Sequence, residues 1–192
     1  MWLVAGLGNP GDRYARTRHN LGRVVVEELA GAAGERFRKA RFLPIETAET
    51  SIEGQRVILA CSTRYMNESG PYYASLATKK RVPPERLIAV HDDIDLAFGA
   101  LRVKLGGSTA GHNGLRSLQE GLRTPEFLRL RLGVGRPPGR QDPADYVLEP
   151  FAKREEADVA ILVDDGADAV RALVASGLAA TQDRFNRAGP RG

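Results

Sequence analysis

Short apolar runs that stop abruptly at polar, glycine-rich loops alternate along this chain with stretches whose apolar residues recur every three to four positions. Met1–Leu7 runs apolar into Gly8-Asn9-Pro10-Gly11, and from Asn20 onward Leu21, Val24, Val25 and Leu29 follow the 3.6-residue period of a helix with one buried stripe. Strand, loop, helix is therefore the first unit. Residues 42–49 and 55–60 flank Glu53-Gly54 as a hairpin, and Ser69 before Pro71 reads as a capped helix start ended by Pro83-Pro84. Leu87–Val90 is a strand that stops at His91-Asp92-Asp93, Leu101–Leu105 is another, and His112–Gly121 reads as a helix after the glycine-rich loop Gly106–Gly111. Leu128, Leu130, Leu132 and Val134 alternate with Arg129 and Arg131, the pattern of a half-buried strand with one basic face. Glu155–Val174 repeats apolar residues at helical spacing, an acidic amphipathic helix expected to cover part of a cleft. Strands interleaved with helices predict an α/β fold: one domain over 1–192, with a twisted, mixed but mostly parallel sheet and helices on both faces.

Composition narrows the class without naming it. At 192 residues, 42% hydrophobic and 27% charged, the chain is globular in length and balance, which excludes disordered, collagenous and membrane-spanning classes. The opening apolar run is too short to span a bilayer and lacks a basic start, so it reads as a buried strand and no membrane partner is expected. A lone cysteine, Cys61, forms no internal disulfide, which fits a reducing cytoplasm, and no Cys/His cluster has zinc-site spacing. The net charge of +4 is unevenly spread: residues 101–140 hold 8 basic and 2 acidic groups, whereas 141–192 hold 6 and 10. A basic middle segment is the electrostatic footprint of a polyanionic partner, although a solvated basic face has the same composition.

Two glycine motifs mimic nucleotide sites and fail on context. Gly6-Leu7-Gly8-Asn9-Pro10-Gly11 matches G-x-G-x-x-G, but the helix begins near Asn20, Pro10 removes an N–H, and Glu27 or Glu28 falls in the helix and not at the end of a second strand. A nicotinamide-dependent oxidoreductase thus rests on letters alone. Gly106–Gly111 has P-loop spacing but is followed by His112-Asn113, where phosphate and magnesium would need Lys and Ser or Thr. What remains is a run of amides and imidazoles in loops: Asn9, His19-Asn20, Asn67, His91-Asp92 and His112-Asn113. Each alone reads as a turn former or a satisfied histidine. Asn9 and Asp92 both fall beyond the carboxyl ends of strands, where open α/β sheets bind ligands. An imidazole oriented by a carboxylate takes a proton from water, and asparagine amides hold a carbonyl oxygen as it gains charge, so the set suits a hydrolysis without metal or covalent intermediate.

Five segments in order resemble bacterial-type peptidyl-tRNA hydrolases: Gly6–Gly11, Tyr14 with Thr17-Arg18-His19-Asn20, Tyr65-Met66-Asn67 with Ser69-Gly70, His91-Asp92-Asp93 with Asp95-Leu96, and Lys104–Gly107 through Gly111–Leu115. The resemblance implies a monomeric cytoplasmic enzyme, without metal or cofactor, that hydrolyses the ester joining peptide to the 3′-terminal ribose of tRNA and so recycles tRNA from abandoned translation. It implies His19 as the base that activates water, Asp92 as its hydrogen-bond partner, and Asn9 as the group that separates N-blocked from free aminoacyl-tRNA. Asn67 and Asn113 match positions that hold the peptide backbone or the reacting carbonyl, Tyr14, Tyr65 and Met66 line the site, and Lys104 and Arg131 clamp tRNA phosphates. A non-catalytic RNA-binding homologue of the same fold is the alternative, and the presence of His19, Asp92, Asn9 and Asn113 speaks against it.

Overall fold

In the computed structural model, which describes residues 1–186, the opening apolar run becomes β1 (Trp2–Gly6), hydrogen-bonded on both sides in the middle of a seven-stranded sheet. Positions 187–192 of the expected domain lie outside the described residues. Chain order continues α1 (Leu21–Ala32), β2 (Arg38–Lys39), β3 (Ile45–Ile52), β4 (Gln55–Ser62), α2 (Gly70–Lys80), β5 (Leu87–Asp93), β6 (Leu101–Leu105), α3 (Asn113–Leu122), β7 (Leu128–Gly133), α4 (Pro143–Val147) and α5 (Glu156–Phe185). Spatial order is β2-β3-β4-β1-β5-β7-β6. The pairs β4–β1, β1–β5 and β5–β7 are parallel; β2–β3, β3–β4 and β6–β7 are antiparallel. The sheet is mixed as expected, with its parallel part at the centre and antiparallel strands at both edges.

Strand alternation sorts the core into two layers. Val4, Val90, Leu130 and Leu132 face α1 and α5, where Val25, Leu162 and Val170 meet them. Leu3, Ala5, Ile58, Leu87 and Phe127 face α2 and α3 and pack on Tyr73, Leu76 and Leu118. Full burial of each large aliphatic side chain contributes about 1.5–3 kcal/mol, which is why these strands read as nearly continuous apolar runs. Gly22 lets α1 sit directly on the end of β5: a Cβ there would lie 2.0 Å from the Val90 carbonyl oxygen. That close seating brings the turn before α1 to the end of β5.

Several expectations need correcting. The hairpin's first strand begins at Ile45, and Phe42 lies in the preceding turn, 81% exposed at φ 64°. β5 runs through His91 and Asp92 to Asp93, because pairing with β7 continues to Asp93↔Gly133. Ser69 precedes α2, yet its hydroxyl donates to the Met66 carbonyl (2.8 Å) and caps no helix N–H; Gly70 N donates to Ser117 Oγ instead. The basic face of β7 is largely covered: Arg129 is fully buried and Arg131 is half-buried. The helix expected over 155–174 extends to Phe185 with a break at Gly177, and it packs against the sheet and α1 without walling the cleft. At the β6 edge, Asn186 at the end of α5 accepts from Val103 N (2.8 Å) and donates to Val103 O (3.1 Å), and Gln182 donates to the same carbonyl. No described helix is long and apolar enough to cross a membrane.

Candidate active site

A cleft of about 920 Å³ opens beyond the carboxyl ends of β1 and β5, at the upper end of the size range of ligand pockets. The chain leaves β1 toward β4 on one side and reaches β5 on the other, so this is where an open α/β sheet parts its loops. Asn9 enters from the loop after β1 and His19 from the 3₁₀ turn Arg18–Asn20; Met66 and Asn67 come from the turn before α2. His91 and Asp92 come from the end of β5, and Lys104, His112 and Asn113 from the β6–α3 segment. A further wall is Asp142–Ala144 with Val147 and Leu148, at and around α4, a helix that the apolar periodicity does not predict.

All three histidines of the chain meet here. His19 Nδ1 lies 3.0 and 3.1 Å from the two Asp92 carboxylate oxygens, and His112 Nε2 lies 3.0 Å from the first of them. Protonation states follow from the partners. His112 stands at the N-cap of α3, where its Nδ1 accepts from Gly114 N (3.1 Å) and Leu115 N (3.3 Å). Its single proton is therefore on Nε2, which donates to Asp92. His91 Nδ1 lies 2.7 Å from the Asp92 carbonyl, which only accepts, so that nitrogen carries the proton. His19 donates through Nδ1 and keeps the Nε2 lone pair for a substrate proton. Burial works against a charged His19, but the charge and hydrogen bond of Asp92 outweigh it and raise the imidazole above its usual value. Burial by itself would raise Asp92 as well; His19 and His112 reverse this and hold the carboxyl well below the carboxylate range. His91 is driven well below the usual histidine value by burial, with His112 adding to the effect, so it stays neutral.

Ligand atoms of His19, Asp92 and His112 lie within 4.8 Å of one another, a donor set that suits a transition metal. The cap opposes coordination: a metal on His112 Nε2 would move the proton to Nδ1 and break both bonds to the start of α3. The donor set therefore fits a hydrogen-bonded relay better than a metal centre.

Amide geometry is equally specific. Asn20 grips the backbone of Asn9, accepting from Asn9 N and donating to Asn9 O, both at 2.8 Å. The Asn9 side-chain oxygen accepts from Met66 N (2.8 Å), which leaves its NH₂ as the group for a ligand. Asn113 Oδ1 accepts from Arg116, so its NH₂ is likewise left to donate. Asn67 lines the cleft from the exposed face of its turn. Met66 is buried beneath it against Gly114, where a Cβ would come within 2.6 Å of its side chain. Tyr14 and Tyr65 form an edge-to-face pair at 6.3 Å outside the lining of this cleft, with Tyr65 largely exposed. Cys61 is shut in the core with its thiol pushed up to about 12 by burial, which removes it as a nucleophile.

Lys104, Arg129 and Arg131 form the basic side of the cleft. Arg131 Nε pairs with Asp93 at 2.8 Å. Lys104 is lowered from its usual value by partial burial and by the nearby charges of Arg131 and Arg129. The sequence places His112 and Asn20 in the set of loop imidazoles and amides and Arg129 on a basic face, but gives none of the three an individual role. The signal for His112 was its position immediately before a helix-forming run, where a side-chain acceptor is wanted.

A family model described as peptidyl-tRNA hydrolase matches residues 3–191. The peptidyl-tRNA hydrolase of Nocardia farcinica is 48% identical over 184 residues, 96% of this chain and 95% of that protein. That of Mycobacteroides abscessus is 50% identical over 184 residues, 96% and 94% of the two chains. The crystal structure of peptidyl-tRNA hydrolase from Acinetobacter baumannii superposes with a TM-score of 0.92 at 32% identity, covering 100% of this chain and 97% of that one. Near-complete matches in sequence and in fold give one conclusion: this chain belongs to the peptidyl-tRNA hydrolase family.

Proposed function

We propose that this protein hydrolyses the ester between a peptide and the 3′-terminal ribose of its tRNA, with His19 as general base. One observation carries the assignment of the base: His19 Nδ1 sits between both oxygens of Asp92, at 3.0 and 3.1 Å, beside the cleft. Asp92 fixes the tautomer, Nε2 takes a proton from water, and the resulting hydroxide attacks the acyl carbon. The carbonyl oxygen gains charge in the tetrahedral intermediate, where the amide groups of Asn67 and Asn113 are the donors; each such donor is worth about 3 kcal/mol. Collapse breaks the ester bond, and His19 returns its proton to the departing ribose oxygen. Asn9 reads the blocked α-amino group through its free NH₂. Lys104 and Arg131 meet backbone phosphates, and Tyr14 and Tyr65 flank the mouth. The working form is a cytoplasmic monomer with a single domain over 1–192 that uses no metal.

The test is release of N-acetyl-amino acid from N-acetyl-aminoacyl-tRNA, with the unblocked aminoacyl-tRNA alongside. Hydrolysis of the first and sparing of the second is expected. Binding of both without cleavage would leave an RNA-binding homologue, and equal cleavage of both would remove Asn9 from its role.

A further inference from the structure

Arg129 is an arginine with no exposed surface and, among the described residues, no carboxylate in salt-bridge contact. It stacks on Phe127, with the guanidinium carbon 4.8 Å from the ring centre, and its terminal nitrogens donate to two consecutive carbonyls, Ser108 O and Gly107 O, each at 2.7 Å. Nε is buried without a partner. A buried cation without a salt-bridge partner is costly to fold around; the charge of Glu126 offsets part of this, but burial and the neighbouring cations Arg131 and Lys104 outweigh it. What it holds explains its presence. The loop from Gly106 to Gly111 places Gly106, Gly107, Ala110 and Gly111 at φ of 64°, 99°, 48° and 80°. A path so dependent on left-handed residues has no regular hydrogen-bond ladder to fix it. The loop delivers the chain to His112, which caps α3 and donates to Asp92, and to Asn113.

We infer that Arg129 is a positioning residue for the hydrolysis: by holding the Gly107 and Ser108 carbonyls it fixes the loop that places His112 and Asn113, while phosphates are met by Lys104 at the surface. The role rests on the reading of His112 and Asn113 given above. It separates the three cations of this cleft into one that acts on turnover and others that act on affinity.

The test compares Arg129→Lys and Arg129→Met with the parent in kcat, KM, the salt dependence of KM and melting temperature, using N-acetyl-aminoacyl-tRNA. Methionine removes the unpaired charge at similar volume, so the fold is expected to persist. The Met variant should lose about 10²-fold in kcat, the loss that a misplacement of about 1 Å produces, with the Lys variant, which reaches one carbonyl, in between. KM and the slope of its logarithm against log salt should match the parent. A slope reduced by about one with raised KM would make Arg129 a phosphate contact and overturn the inference. Full kcat in folded variants, or loss of the folded state in both, would overturn it as well. His19→Ala measured beside them keeps the two readings apart: an active His19→Ala removes the base, whereas an inactive one with full-speed Arg129 variants removes only the role inferred for Arg129.

Discussion

The two charged clusters of the cleft are opposites. Around Asp92 a single buried carboxylate takes hydrogen bonds from two imidazoles, and the backbone N–H groups at the start of α3 fix the proton of His112, so the carboxylate is satisfied by donors inside the protein. Around β7, Lys104, Arg129 and Arg131 have one carboxylate in ion-pair contact among the described residues, Asp93 on Arg131, and the excess charge of Lys104 and Arg131 is open to an outside anion. Groups whose hydrogen bonds close on one another are placed to move protons, and cations in excess to attract a polyanion. Catalysis and affinity should therefore separate by cluster when residues are changed one at a time.

The sharpest break of that comparison is His19→Ala, expected to lower kcat by roughly 10²–10⁴-fold with tRNA affinity nearly intact; a parallel fall in affinity, read from a filter-binding curve, would merge the clusters. Asp92→Asn should cost about as much or slightly less, and it also moves the pH profile. His19 must be neutral to accept a proton, so activity falls as pH drops through its raised value, and the acid limb should lie above about 6.5 in the parent. Without the Asp92 charge, burial alone governs His19, and the limb should shift to lower pH. The linkage to stability has the opposite sense. A histidine raised in the folded state contributes fully below about pH 6.5, and that contribution fades as pH rises through the raised value, so the site is most active where it supports the fold least. His112→Asn comes next: asparagine is a good helix cap, so melting temperature should hold, while loss of the donor to Asp92 should reduce kcat about tenfold. An unchanged kcat would confine His112 to capping. The smallest effect belongs to Lys104→Ala, whose loss should fall mainly on KM with a salt slope lower by about one, and an unchanged slope would remove the phosphate contact.

Much of this was legible before coordinates because strands end where chemistry begins. The run Met1–Leu7 placed Asn9 at a strand end, and Leu87–Val90 did the same for Asp92, so two of the groups that meet in the cleft follow from simple apolar patterning. Arg129 was misread for a physical reason: a period-two pattern of Leu and Arg describes a half-exposed strand, and only tertiary packing shows that loop carbonyls occupy the space where water was expected. The α4 wall was missed because a five-residue helix behind a Pro- and Gly-rich stretch has no periodicity to detect. The long acidic helix was placed on the wrong surface since amphipathicity shows that a face is buried, not which side of the sheet it covers.

The side chain of Asn186 imitates one rung of a β-ladder on the outermost strand, offering Val103 both an acceptor and a donor as an eighth strand would. An uncovered rim of this kind is a template for other chains. Residues 182–186 follow all seven described strands, so during synthesis these strands emerge while that rim is still open to a neighbouring nascent copy. Trimming those few residues would therefore be felt first as aggregation, before any loss of chemistry in the cleft.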